Sequence, residues 1–447
     1  MKDLTQGSIA RHLVEMSLVM LIGMMGQTLY YLVDLYFVAK LGPAAVAGVG
    51  AAGNIAFIVL GLTQILGVGT VALIAHAVGR RDQPDANLVF NQAIALSIVA
   101  AFGVLFAGYC FADEYMETLG ADVDTAHSGA TYLYFFLPGL ALQFGLVAMG
   151  SALRGTGLVK PGTTVQIVTV LINAILAPIL IAGWGTHHAL GVAGAGLAST
   201  IAIACGVGML CWYFARLEKY VGFHPQQWKP RWAIWRRILN IGLPAGGEFL
   251  LLFFLMTLTY GLIRPFGAEA QAGYGIGSRV MQSIFLPAMA VAFSVAPVAG
   301  QNFGAKKPER VRETVRIALT FGAIVMAVLT LFCQISPGAF IRFFSADGEV
   351  IRIGGYYLRV ISWIFVGTGI VFTCSGAFQA LGNTWPSLLS SICRLVFYAV
   401  VAIWLATQPG FHLEQIWFVS VGAVCIQAVM SFGLLRREMN KRLGVLA

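Results

Sequence analysis

Gly42-Pro-Ala-Ala-Val-Ala-Gly-Val-Gly50 returns 225 residues later as Gly267-Ala-Glu-Ala-Gln-Ala-Gly-Tyr-Gly275. The same offset pairs Arg11 with Arg236, Leu18 with Leu243, Gly79 with Gly304, Ala93 with Ala318, Gly157 with Gly382 and Pro161 with Pro386. One window matched in glycine and alanine means little in a chain with 52 glycines. An ungapped offset held across several loops means duplication, and duplication is how many transporters build a central substrate site.

Composition says what was duplicated. Hydrophobic residues make up 58% of the 447 residues and charged residues only 11%, with a mean hydropathy of +0.82. A soluble chain carries about twice that charged fraction. Apolar runs long enough to cross a hydrocarbon core recur throughout. They predict twelve helical spans, near 13–39, 47–77, 89–111, 128–150, 161–184, 190–215, 235–264, 272–301, 314–336, 353–379, 386–407 and 415–437. The first run is long and continues the repeat, so it is expected to be a span and not a cleaved leader. The fold class is all-α integral membrane. Two parallel six-helix repeats, 1–215 and 235–447, are joined by a cytoplasmic linker at 216–234 and enclose a central cavity.

The net charge of +9 is a topology signal and does not point to nucleic acid. Lys2, Arg11, Arg80, Arg81, Arg154, Lys160 and the basic clusters at 216–237, 306–316 and 436–442 fall on one predicted side. Only Lys40, Arg264, Arg342, Arg352 and Arg359 fall near the other. The positive-inside rule makes both termini cytoplasmic. The acidic stretch Asp113-Glu-Tyr-Met-Glu117 then lies outside. Within the linker, 228–235 reads as an amphipathic stretch on the inner leaflet, with a simple tether as the alternative. The seven cysteines show no metal-ligand spacing and read as small packing residues. No cofactor and no catalytic metal are expected.

Ionisable groups inside spans are costly and point to function. Asp34, late in span 1, could share a cavity with Asn173 of span 5 and with Ser199 and Thr200 of span 6. A carboxylate among neutral hydrogen-bonding groups suits reversible protonation, and the same oxygens could hold a small cation. A structural hydrogen bond to a neighbouring helix is the competing role. Glu248 follows Pro244 by four residues, where proline bends the helix and glycines thin its wall. There it could face the cavity and attract cations. Arg279 and Arg394 read as counter-ions or donors to carbonyls, with anion binding as the alternative. Tyr30, Tyr36, Phe253 and Tyr260 are aromatic neighbours of the two acids, able to meet a flat cation face-on.

Leu32-Val-Asp34-Leu-Tyr-Phe-Val-Ala-Lys-Leu-Gly42, Gly150-Ser-Ala-Leu-Arg-Gly-Thr-Gly157, Asn173-Ala-Ile-Leu-Ala-Pro178 and Gly242-Leu-Pro-Ala, with the paired Ala-Gly motifs, resemble the multidrug and toxic compound extrusion family. The resemblance covers essentially the whole chain. It implies a bacterial inner-membrane antiporter of twelve helices, exchanging an organic and often cationic compound for protons or sodium, with the coupling ion at Asp34. Three positions depart from the family pattern. Ala177 stands where an aspartate is frequent, Val19 stands where many members bend span 1 with proline, and Glu248 lies one turn before the glutamate of some branches. Ser199 fills the span-6 hydroxyl position.

The expected function is therefore efflux of cationic or amphipathic compounds, coupled to protons through Asp34, Asn173, Ser199 and Thr200. Weak sodium binding at Asp34 and Asn173 is the alternative. The expected substrate cavity holds Glu248, Tyr30, Tyr36, Phe253, Tyr260 and Arg279, in a monomer whose partners are small organic molecules and phospholipid. A lipid-linked precursor flippase is the nearest alternative. An intramembrane enzyme is disfavoured, since no DDxxD, HExxH or Ser/His cluster is present.

Overall fold

The computed structural model describes residues 1–119, 122–185 and 187–444, excluding the side chains of residues 30, 31, 32 and 35. These residues form helices and no strands. The helices are α1 (Ile9–Ala39), α2 (Pro43–Gly79), α3 (Gln83–Leu119), α4 (Val123–Gly155), α5 (Lys160–Ala182), α6 (Gly191–Arg216), α7 (Trp232–Ile263), α8 (Ala268–Gly304), α9 (Pro308–Ile335), α10 (Pro337–Arg342), α11 (Gly348–Ile361), α12 (Phe365–Leu381), α13 (Trp385–Ala406) and α14 (Leu413–Gly444). Among the described residues, twelve stretches are long and apolar enough to cross a membrane. The short α10 is additional, and α11 with α12 makes one span from Gly348 to Leu381.

The repeat holds down to individual backbone angles. Gly42 and Gly267 precede two helices of 37 residues each, with φ of 111° and 94°. Only glycine adopts such angles without steric cost, which is why the repeated stretch begins with it. At the far ends of those helices Arg81 and Lys306 match again, with φ of 59° and 54°. There the N–H of Asp82 reaches the Ala77 carbonyl at 2.9 Å, and the N–H of Lys307 reaches that of Asn302 at 3.0 Å. Both are the six-to-one hydrogen bond that closes a helix end.

The chain packs into two compact units, and neither is a continuous half. The first holds Met1–Asp3 with Val19–Gly246, the second Leu4–Leu18 with Gly247–Ala447. The sequence places the divide at 216–234, whereas the packing divides α1 and α7 part-way along. Within the first unit Gly242 of α7 lies against α2, where an added Cβ would stand 1.8 Å from the Ile65 carbonyl oxygen. One turn further along α2, a Cβ on Gly69 would meet the Ile238 carbonyl oxygen at 2.3 Å. The repeat partners of Gly242 and Gly69 are Ser17 and Ser294, whose hydroxyls lie 2.9 Å apart within the second unit. The two crossings are one design used twice, closed by small residues as in other membrane bundles.

Leu4 shows how firmly the Leu4–Leu18 segment belongs to the second unit. Its side chain is buried. Its N–H donates to Gln301 Oε1 at 2.9 Å, and its carbonyl accepts from Asn302 Nδ2 at 3.2 Å. Lys307 and Arg310 donate to the Thr5 and Gly7 carbonyls at 2.9 and 3.0 Å.

The connector is not a loose tether, for it is bound along α3. Buried Asn91 of α3 accepts from the His224 N–H and from Trp228 Nε1, at 2.8 and 2.9 Å, and donates to the Gly222 carbonyl at 2.9 Å. Neighbouring Gln92 accepts from the Arg231 N–H at 2.8 Å and donates to the Lys229 carbonyl at 2.8 Å. Two buried amides thus satisfy several of the connector's backbone groups, as a polar chain folded against a helix requires. Trp228 consequently points into the protein, and α7 begins at Trp232.

Candidate functional site

In the first unit, Asp34 is buried and its Oδ1 has no hydrogen-bond partner. Asn173 is fully buried, and its Oδ1 also lacks a partner. Asn173 Nδ2 donates to Ser199 Oγ at 3.3 Å. Two lines of geometry put Asp34 and Asn173 at matching levels of their helices. Gln166 of α5 donates to Gln27 of α1 at 3.2 Å. Both helices are odd-numbered spans and run the same way, and Asp34 and Asn173 each lie seven residues further on. Seven residues are two turns, so both return to the shared face at the same level. Independently, their repeat partners Thr259 and Tyr398 touch directly in the second unit, hydroxyl to hydroxyl at 2.8 Å. Asp34 Oδ1 and Asn173 Oδ1 are each a buried acceptor oxygen without a donor, which costs about 1–3 kcal/mol.

Thr200 has another task. Pro138 interrupts α4 and cannot donate to the Tyr134 carbonyl, which accepts instead from the Tyr109 hydroxyl at 3.0 Å. In the adjoining turn Thr200 Oγ1 is spliced into the helix, donating to the Phe135 carbonyl at 2.6 Å and accepting from the Gly139 N–H at 3.2 Å. With both partners in α4, the hydroxyl mends a break and is not brought to Asp34. Thr200→Val should lower stability by about 1–2 kcal/mol, read as a lower thermal midpoint, with ion coupling intact. Lost coupling at unchanged stability would return Thr200 to the ion site.

In the second unit Glu248 lies within hydrogen-bonding reach of the Ser387 and Ser375 side chains, and its Oε1 is buried without a partner. Their repeat partners are Gly23, Gly162 and Gly150, so the first unit packs three glycines where the second builds a carboxylate with two hydroxyl donors. The sequence reading missed both serines. Applying the offset to Glu248's surroundings was the available signal.

The described contacts of the remaining expected cavity residues are with other groups. Tyr36 is exposed beneath the Lys40 ammonium, 4.4 Å from its ring centroid. Exposed Phe253 packs edge-on to Phe254, and partly exposed Tyr260 to Tyr274 at 5.0 Å. Arg279 is exposed and forms no ion pair with another described residue, so it is no counter-ion to a carboxylate. Tyr30 lies outside the described side chains. Among the described residues no group of three or more acidic, histidine or cysteine side chains could hold a metal.

Twelve apolar spans among the described residues, in two repeated sets, each half with a carboxylate oxygen buried without a partner inside a span, define a duplicated multi-pass membrane protein. The family model MatE matches residues 20–179 and again 244–404, once in each half, and this chain belongs to that family of efflux transporters. Curated relatives are similar along nearly their whole length. The FAD transporter of Shewanella oneidensis is 25% identical over 402 residues, covering 89% of this chain and 88% of that protein. The multidrug export protein MepA of Staphylococcus haemolyticus is 27% identical over 398 residues, covering 87% and 85%. Among solved structures, an outward-facing multidrug resistance MATE family transporter shares the fold at a TM-score of 0.92, with 23% identity and 98% of each chain covered. A MOP superfamily transporter from Pyrococcus furiosus does so at 0.91, also with 23% identity and 98% of each chain covered.

Proposed function

We propose that this chain is a secondary active antiporter that exports small cationic or amphipathic organic compounds in exchange for protons, by alternating access. It works as a monomer in the bacterial inner membrane, with both termini cytoplasmic, and performs no covalent chemistry. The printed names of the relatives, a FAD transporter and multidrug export proteins, support a small organic cargo. The observation that carries proton coupling is the pair of orphaned oxygens on Asp34 and Asn173. A single proton on Asp34 lets the carboxylic acid donate to Asn173 and satisfies both atoms at once. Sodium would need further oxygens, and Ala177 offers none where the family often supplies a second carboxylate. Glu248, with its two serines, serves as the attractor for the cationic part of the cargo.

Coupling follows only if protonation of Asp34 favours one conformation over the other. Purified protein in liposomes, with proton and sodium gradients imposed separately, tests the reading. Uptake of a fluorescent organic cation should follow an imposed pH gradient at zero sodium. Uptake driven by sodium alone would overturn proton coupling, and no uptake under either gradient would overturn the antiporter.

A further inference from the structure

We propose that Arg394 in the second unit recognises an acidic group, a carboxylate or phosphate, on the exported compound, an inference that rests on the export reading above. Arg394 lies ten residues into α13 and is half-buried. Among the described residues its one hydrogen-bond acceptor is Gln427 Oε1, at 3.3 Å, and it forms no ion pair. Gln427 is held in that orientation, because its Nε2 donates to Ser391 at 3.1 Å. One of five guanidinium N–H groups is thus engaged, and by a neutral acceptor.

The surroundings are rigid and polar without being anionic. Tyr274, Tyr357 and Tyr398 lie within electrostatic range of Arg394. Tyr274 stacks on Trp417 at 5.5 Å, and Tyr357 meets the same indole edge-on at 4.8 Å. The Tyr357 hydroxyl donates to the Met281 sulfur at 3.4 Å, and that of Tyr398 is bonded to Thr259. These dipoles soften the charge of Arg394 but do not cancel it.

A cation without a counter-charge inside a span costs several kcal/mol, so such groups persist where they serve binding. The scaffold does not need this one. The repeat partner of Arg394 is Thr169, a buried hydroxyl bonded to its own helix at the Val165 carbonyl, 2.9 Å away. The open guanidinium edge is the fork that grips a carboxylate or phosphate through two parallel hydrogen bonds.

Position also bears on the cargo. Ser387, the partner of Glu248, precedes Arg394 by seven residues and so lies on the same face of α13, about 10 Å away. The second unit therefore presents a carboxylate and a guanidinium along one helix face, and the cargo is a compound carrying both a basic and an acidic group.

A rhodamine dye with a free carboxylate and its methyl ester form a matched pair, alike in ring system and differing in the acid. In liposomes of phosphatidylcholine energised as above, the wild type should favour the free acid by about tenfold or more. R394Q should bring that ratio near one while leaving ester transport unchanged, and R394K should retain part of the preference. Equal loss of both dyes in R394Q, or no preference in the wild type, would overturn the proposal while leaving the antiporter intact. If anionic phosphatidylglycerol abolished the preference, the site would belong to a lipid headgroup and the proposal would fall. Failure to move either dye would sink the export reading itself.

Discussion

Replacing Asp34 by asparagine should reduce gradient-driven export to the level of empty liposomes while the protein stays folded. Asparagine has nearly the shape of aspartate but cannot exchange a proton. Its amide nitrogen can donate to the Asn173 oxygen, which otherwise has no donor. The variant therefore imitates the protonated state permanently. Stability should be unchanged or higher by about 1 kcal/mol, because a buried acceptor gains a partner. Transport and melting temperature thus move independently, or in opposite directions. The decisive measurement is uptake in liposomes beside a thermal melt of the same preparation. Export at the wild-type rate would exclude Asp34 as the coupling group, and a lowered melting temperature would mark it as structural.

Gly242→Val should abolish folding. A Cβ at 242 would stand 1.8 Å from the Ile65 carbonyl oxygen, with the carbonyl carbon at 2.6 Å, and both belong to backbone that cannot rotate away. Relief requires α7 to leave α2 within the first unit. The cost should reach the upper end of overpacking penalties, about 3 kcal/mol or more. Gly145→Ala is the control, since no atom lies within 4 Å of its Cβ position. It should fall within about 1 kcal/mol of wild type, on the stabilising side, from helix propensity alone. Size-exclusion profiles of tagged protein in detergent should show aggregate for the first variant and a monodisperse peak for the second. A normal peak for Gly242→Val would mean that α7 and α2 do not cross as described.

The spans, the duplication and the helix ends were legible in the sequence because each has a local cause. Hydrocarbon thickness sets the length of an apolar run, and Gly42, Gly267 and the loop pairs recur in register. Asp34 and Asn173 could be singled out because polar atoms inside a span are rare enough to notice. The backbone role of Thr200 was hidden for a physical reason. Its hydroxyl mends a proline break in another helix, a relation that exists only after α4 and α6 pack. Ser375 and Ser387 were missed because a serine in an apolar run looks alike whether it meets a lipid chain or a carboxylate. The connector appeared loose because the amides that bind it, Asn91 and Gln92, lie more than 130 residues earlier.

The division of α1 and α7 between units also constrains how the protein can be made. The first unit is incomplete until Gly246 has been synthesised, and the second closes on Leu4–Leu18, which is made well over 200 residues before the rest of that unit. Those early residues must be kept free of other partners until Gln301, Asn302 and Arg310 have been inserted. Contacts between such distant parts of a chain are slow to form, because a large loop must close before they contribute. A gene cut at the connector would yield two fragments, each holding a helix segment that completes the other. Each copy therefore needs a segment of the other to complete its packing.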